Sequence, residues 1–163
     1  AWHAQACVLA LVIAAAIGIQ RVIRPQSRAT SWFLGTFGAS MVLSAIFRAD
    51  PMDGFPPGTP LGMPTSISMA GGLHFLFGAI GFIAWGVSAL LASRAMRRRN
   101  EPALARFSLI AGLVIIIGFV APIFVPSVGG VAGIWLSVLA GWLWLAVLSK
   151  HLYRVSPTPN CAP

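Results

Sequence analysis

The stretch FRADPMDGFPPGTP, residues 47–60, interrupts a chain that is almost wholly apolar on either side of it. Arg48, Asp50 and Asp53 fall together here, and the two aspartates are two of only three acidic residues in the protein. Pro51, Pro56, Pro57, Pro60 and Pro64 favour extended and turn geometry and rule out a helix. DPMDG, residues 50–54, is turn chemistry. A polar, proline-rich break between two apolar runs reads as the elbow joining two membrane helices. Composition agrees, since the 163 residues are 58% hydrophobic and 9% charged. A soluble domain carries about a quarter charged residues, and a chain this poor in charge cannot cover its surface in water.

Working outward from the elbow, five runs reach spanning length: residues 2–20, 31–47, 73–93, 107–125 and 131–149. Roughly 20 apolar residues cross about 30 Å of hydrocarbon as a helix. The runs are continuously apolar, whereas barrel strands alternate. The predicted fold is therefore all-α, a polytopic integral membrane bundle with five transmembrane helices in this chain. Pro122 is expected to kink the fourth helix or end it early. Residues 1–155 read as one helix-bundle domain and 156–163, SPTPNCAP, as a flexible tail. Ala1 opens directly on an apolar helix with no methionine before it. The expectation is a missing first helix, giving six in the full protein, in preference to a removed signal segment.

Charge sets the orientation. RVIRPQSR (21–28), RAMRRRNEPALAR (94–106) and KHLYRV (150–155) together hold ten of the eleven basic residues, and only Arg48 lies on the other side of an alternating topology. The positive-inside bias makes the arginine side cytoplasmic, with the N-terminus of this chain outside and the C-terminus inside. The net charge of +8 thus reads as topology and attraction to anionic headgroups, not as a nucleic-acid surface. Cys7 and Cys161 fall on opposite sides, so no disulfide joins them.

Small residues mark expected helix seams: Gly133, Ser137 and Gly141; Ala10, Ala14 and Gly18; and Thr36, Ser40 and Ser44. Trp2 and Trp135 at the outer boundary, and Trp32, Trp144 and Tyr153 at the inner one, read as interfacial anchors. Pro64, Thr65 and Ser66 offer an early start for the third helix. PSVGG, residues 126–130, reads as a tight turn.

The candidate site lies at the outer end of the second and third helices. Asp50 and Asp53 follow one helix, His74 opens the next, and His3 shares their level. Ionisable groups beside hydrocarbon face a partner or the bundle interior. Asp50, Asp53 and His74, with His3 as an added ligand, have the donor types of a metal site. His3 and His74 could hold a haem between them, and aspartate with histidine could exchange a proton or bind a headgroup. The structural alternative is that Arg48 pairs with Asp50, that His74 donates to a carbonyl and pins the third helix, and that Thr36, Ser40 and Ser44 bond back to their own helix.

FRADP followed by a Pro/Gly-rich loop and then GGLHFLFGAIGF (71–82) resembles the prokaryotic membrane family catalogued as domain of unknown function 998. The resemblance covers most of the chain, from Trp2 to Tyr153. It implies a six-helix bundle in a prokaryotic cytoplasmic membrane and marks Asp50, Pro51 and His74. It carries no activity.

Familiar catalytic motifs are missing from the sequence: no phosphate-binding Walker loop, no G-x-S-x-G and no H-E-x-x-H. The leading functional expectation is a non-catalytic accessory or structural subunit of a membrane complex. Its partners are membrane lipids and other integral membrane subunits, with no cofactor bound by this chain alone. The alternative is a membrane-embedded enzyme or binding protein acting on a lipid headgroup, proton or metal ion through Asp50, Asp53 and His74.

Overall fold

The computed structural model describes residues 2–23, 27–52, 54–62, 64–125 and 128–156, with side chains described outside 2–10 and 128–131. It contains α1 (Trp2–Ile23), α2 (Ala29–Ile46), α3 (Met69–Arg98), α4 (Pro102–Phe124) and α5 (Val128–Val155). Among the described residues four helices are long and apolar enough to cross a membrane, and Leu11–Ile23 of α1 forms a shorter apolar helix. The expected polytopic helix bundle is what the chain forms. Each helix packs on the next in sequence, and α1 also touches α5. Up-and-down order gathers the arginine-bearing helix ends at one end of the bundle, the basic end, and leaves the 47–68 elbow at the other, the loop end.

The helices outrun the apolar stretches. With 30 residues, α3 is roughly 45 Å long, and Arg94, Arg97 and Arg98 lie on its projecting last turns. Nothing breaks the backbone ladder until Asn100, which takes a left-handed conformation (φ 59°). There Glu101 N donates to Met96 O (3.0 Å) and Asn100 N to Arg97 O (3.1 Å), the double closure of a Schellman motif. Pro102 then opens α4, where a missing N–H costs nothing. Two expectations fail at other boundaries. The third helix starts at Met69 behind Ser68, not at Pro64–Ser66. Residues 128–130 of the expected PSVGG turn belong to α5, and residues 126–127 lie outside the described set. Pro122 sits in the last turn of α4, which runs on to Phe124.

Close packing rests on glycine, as association in lipid requires. A Cβ on Gly118 of α4 would meet Gly133 O and the Ser137 Oγ of α5, both at 2.4 Å; one on Gly112 would meet Gly86 O of α3 at 2.9 Å. Ser137 Oγ donates to Ile115 O (3.0 Å) across the same seam. Gly141 leaves room for the ring of Trp85, which stacks on Phe37 at 4.1 Å. The predicted line Gly133, Ser137 and Gly141 is therefore a true contact. The line through Ala14 and Gly18 is not. Both are exposed, no described residue lies within 4 Å of a Cβ on Gly18, and α1 buries Val12, Ala16, Ile19 and Ile23 instead. Trp144 also departs from its expected role. It is fully buried and its Nε1 donates to Ser108 Oγ (3.1 Å), so it is core and not an anchor. Trp32, Trp135 and Tyr153 are exposed, as anchors must be. Trp2, Cys7 and Ala10 have side chains outside the described set, and Cys161 lies beyond it.

These contrasts give a paired test. Gly118→Ala forces a side chain against backbone and should cost about 1–3 kcal/mol, read as a lower melting temperature in detergent. Gly18→Ala should leave the melting temperature unchanged or raise it slightly, because it gains helix propensity in open space.

Candidate functional site

At the loop end, α2 stops and α3 begins within one elbow. A helix leaves its first four N–H groups and its last four carbonyls without intrahelical partners. Beside hydrocarbon such groups need protein partners. Here the two helices supply them to each other.

Ser68 is the N-cap of α3 and accepts from Gly71 N at 3.0 Å. In a capping box the residue at that third position would carry a carboxylate back to the N–H of the cap. The third residue here is glycine, and the carboxylate comes from Asp50, beyond the end of α2. Ser68 N donates to Asp50 Oδ2 at 2.8 Å. A Cβ on Gly71 would coincide with that carboxylate, 2.1 Å from Oδ2. Asp50 and Gly71 therefore form a capping box divided between two helices. Hydrogen bonds from the Ser68 side chain and then its backbone amide hold the Asp50 carboxyl below the usual aspartate range. The helix N-terminus favours the same ionised form.

The reciprocal cap is His74. Its Nδ1 lies 2.8 Å from Ser44 O and 2.9 Å from Phe47 O, the carbonyls at the end of α2. Both oxygens can only accept, so Nδ1 carries the proton and donates. Ser44 Oγ in turn donates to His74 O at 3.2 Å. Phe47 stacks on Phe77 with ring centroids 5.7 Å apart, closing the apolar side of the joint. Nδ1 is thereby taken, and Nε2, which is a lone-pair acceptor in the neutral ring, has no hydrogen-bond partner among the described residues.

The structure thus brings Asp50 and His74 to one joint but aims them at opposite helix ends. Asp53 and the His3 side chain lie outside the described residues, so the metal and haem arrangements that use them are not displayed. Among the described residues no three His, Cys, Asp or Glu side chains gather as a metal cluster. Arg48 does not pair with Asp50, because Ser68 and the start of α3 have already engaged that carboxylate; no ion pair joins the two among the described residues. Of the hydroxyl line on α2, Thr36 bonds back to Trp32 O (3.1 Å), whereas Ser44 reaches across to α3. The elbow itself is ordered by turns. Met52 and Phe55 exchange both backbone hydrogen bonds (3.0 and 2.9 Å), with Gly54 at positive φ. A crevice of about 340 Å³ opens beside the joint, lined by Arg48, Asp50, Met52, Phe55 and His74 among others.

A second polar brace, at the basic end, has no counterpart in the sequence reading. Arg99 Nη1 donates to Val22 O (3.3 Å), a terminal carbonyl of α1. Arg99 Nε reaches Glu101 Oε1 (3.4 Å), and Glu101 Oε2 meets His151 Nε2 on α5. The available signal was that Glu101 is the only acid in an arginine-rich segment.

Fold and joint together define a class: a polytopic helical membrane protein whose described polar residues at the loop end secure a helix hairpin. The family profile described as "Protein of unknown function (DUF998)" matches residues 4–151, and the chain belongs to that family. No curated protein and no solved structure matches the chain.

Two predictions follow from the divided box. Ser68→Ala removes the cap and should cost about 0.5–2 kcal/mol; Gly71→Ala should destabilise through its collision with Asp50. Asp50 has a lowered folded pKa, so its contribution is complete above the unfolded value of about 3.9. It is lost as the pH falls through the lowered value. In Asp50→Asn the melting temperature should already be reduced at pH 7, and its difference from wild type should shrink as acid protonates the wild-type carboxylate.

Proposed function

We infer that this protein is a non-catalytic integral membrane subunit, an accessory or structural component of a larger membrane assembly. The observation that carries this reading is the commitment to helix ends of Asp50 and His74, the two described acid–base candidates at the loop end. Asp50 is bound to the start of α3, and the His74 Nδ1–H is bound to the end of α2. Paired acid and base work needs both groups free to exchange protons with a substrate; the Asp50 carboxylate is engaged at the start of α3, and only His74 Nε2 is left open. The exposed Ala14 and Gly18 of α1 add support, since small residues on an outward face allow another helix to approach closely. The rival enzyme reading would require Asp50 and His74 to leave their helix ends.

In this reading the protein lies in the cytoplasmic membrane of a prokaryote, with the basic end inside. Arg21, Arg28, Arg94, Arg97, Arg98, Arg106, Lys150 and Arg154 are all exposed at that end, which suits the positive-inside bias.

Extraction from its own membranes in mild detergent, followed by native mass measurement, tests the proposal. A large assembly of fixed composition is expected; a small homogeneous particle would contradict it. Asp50→Asn and His74→Ala should lower folded yield and assembly together. Normal yield with loss of a catalytic turnover would instead favour the enzyme.

A further inference from the structure

We propose that the crevice beside the α2–α3 joint holds the headgroup of a phosphoethanolamine lipid from the adjacent leaflet, a site that stands independently of the subunit reading. Three observations converge on it. Arg48 lines the crevice, is exposed, and has no ion-pair or hydrogen-bond partner among the described residues. Every other described basic residue lies at the opposite end of the bundle. An isolated guanidinium at the edge of a membrane span is suited to a phosphodiester.

The second observation is the ring of His74, which lines the same crevice. Its Nδ1–H is fixed on Ser44 O and Phe47 O, so Nε2 is the ring nitrogen left to meet a ligand, and in the neutral ring it is an acceptor. That atom calls for a donor on the ligand. A primary ammonium supplies N–H groups, whereas a trimethylated ammonium has none. The Asp50 carboxylate, although bound to Ser68, adds a field that favours a cation in the crevice and opposes a purely anionic headgroup.

The third observation is the elbow that borders the crevice. Phe55, Leu61, Ile67 and Met69 are 76%, 89%, 59% and 84% exposed. Large apolar side chains this open, on the elbow and at the first residue of α3, match a segment resting at the boundary of headgroups and acyl chains. The crevice then lies at headgroup depth. Its volume of about 340 Å³ falls at the small end of the range for ligand pockets.

The test uses the full chain in nanodiscs holding equal amounts of phosphatidylethanolamine and phosphatidylcholine, with retained lipid read by native mass spectrometry. Retention of phosphatidylethanolamine over phosphatidylcholine by about tenfold is expected, the scale of one hydrogen bond to a charged group. The N,N-dimethyl lipid keeps one N–H and should be retained like phosphatidylethanolamine. Arg48→Gln should lower retention of both lipids, since the phosphodiester is common to them, and Arg48→Lys should restore it. Equal retention of the two lipids by the wild type would overturn the proposal. So would a dimethyl lipid that behaves like phosphatidylcholine, or an Arg48→Gln variant that retains lipid as well as the wild type. Displacement of the bound lipid by micromolar phosphoethanolamine in solution would show that the acyl chains and the elbow contribute nothing, and would equally overturn the assignment to a lipid.

Discussion

Backbone groups at a helix end have no partner in their own helix, and hydrocarbon offers none. At the loop end this protein meets that constraint by exchange: α2 sends Asp50 to the N-terminus of α3, and α3 sends His74 to the C-terminus of α2. The exchange ties the two helices at the point where an elbow of more than twenty residues would otherwise leave them free. It also explains a glycine. Gly71 occupies the position where a single-chain capping box would carry its acid, and its bare Cα is what lets the acid arrive from elsewhere.

Packing between the spans follows the same economy of atoms. Gly118 and Gly133, and Gly86 and Gly112, bring backbones together across α4 and its two neighbours. Each close approach increases dispersion contact where no hydrophobic force acts between helices. Buried hydroxyls then bond to carbonyls on adjacent helices: Ser88 to Thr30 O (2.9 Å), Ser93 to Ala105 O (2.7 Å) and Ser137 to Ile115 O (3.0 Å). At the basic end Arg99, Glu101 and His151 brace α1 and α5, so both ends of the bundle are closed by polar contacts between elements.

Hydropathy made the fold legible, because spans of this length and apolarity have few alternatives in a bilayer. The seam on α5 was legible for a similar reason, since Gly133, Ser137 and Gly141 repeat at helical spacing. The same spacing misled at Ala14 and Gly18, because a period reveals a face but not what the face meets. Trp144 misled likewise: its position near a span end resembled an anchor, and only the tertiary fold shows Ser108 waiting for its indole N–H. At the joint, Asp50 and His74 stood out as ionisable residues in an apolar chain. Their division of labour did not, because a capping box split across 18 residues of loop leaves no local motif. Ser68 and Gly71, which complete it, are ordinary residues until the fold brings Asp50 to them.

The most direct measurement is hydrogen exchange at the amides of Ser68 and Gly71, compared between wild type and Asp50→Ala in the same detergent. Reciprocal capping predicts that both amides exchange several-fold faster in the variant while α4 and α5 keep their protection. Unchanged exchange at Ser68 and Gly71 would mean that the carboxylate does not hold the start of α3, and would contradict the account.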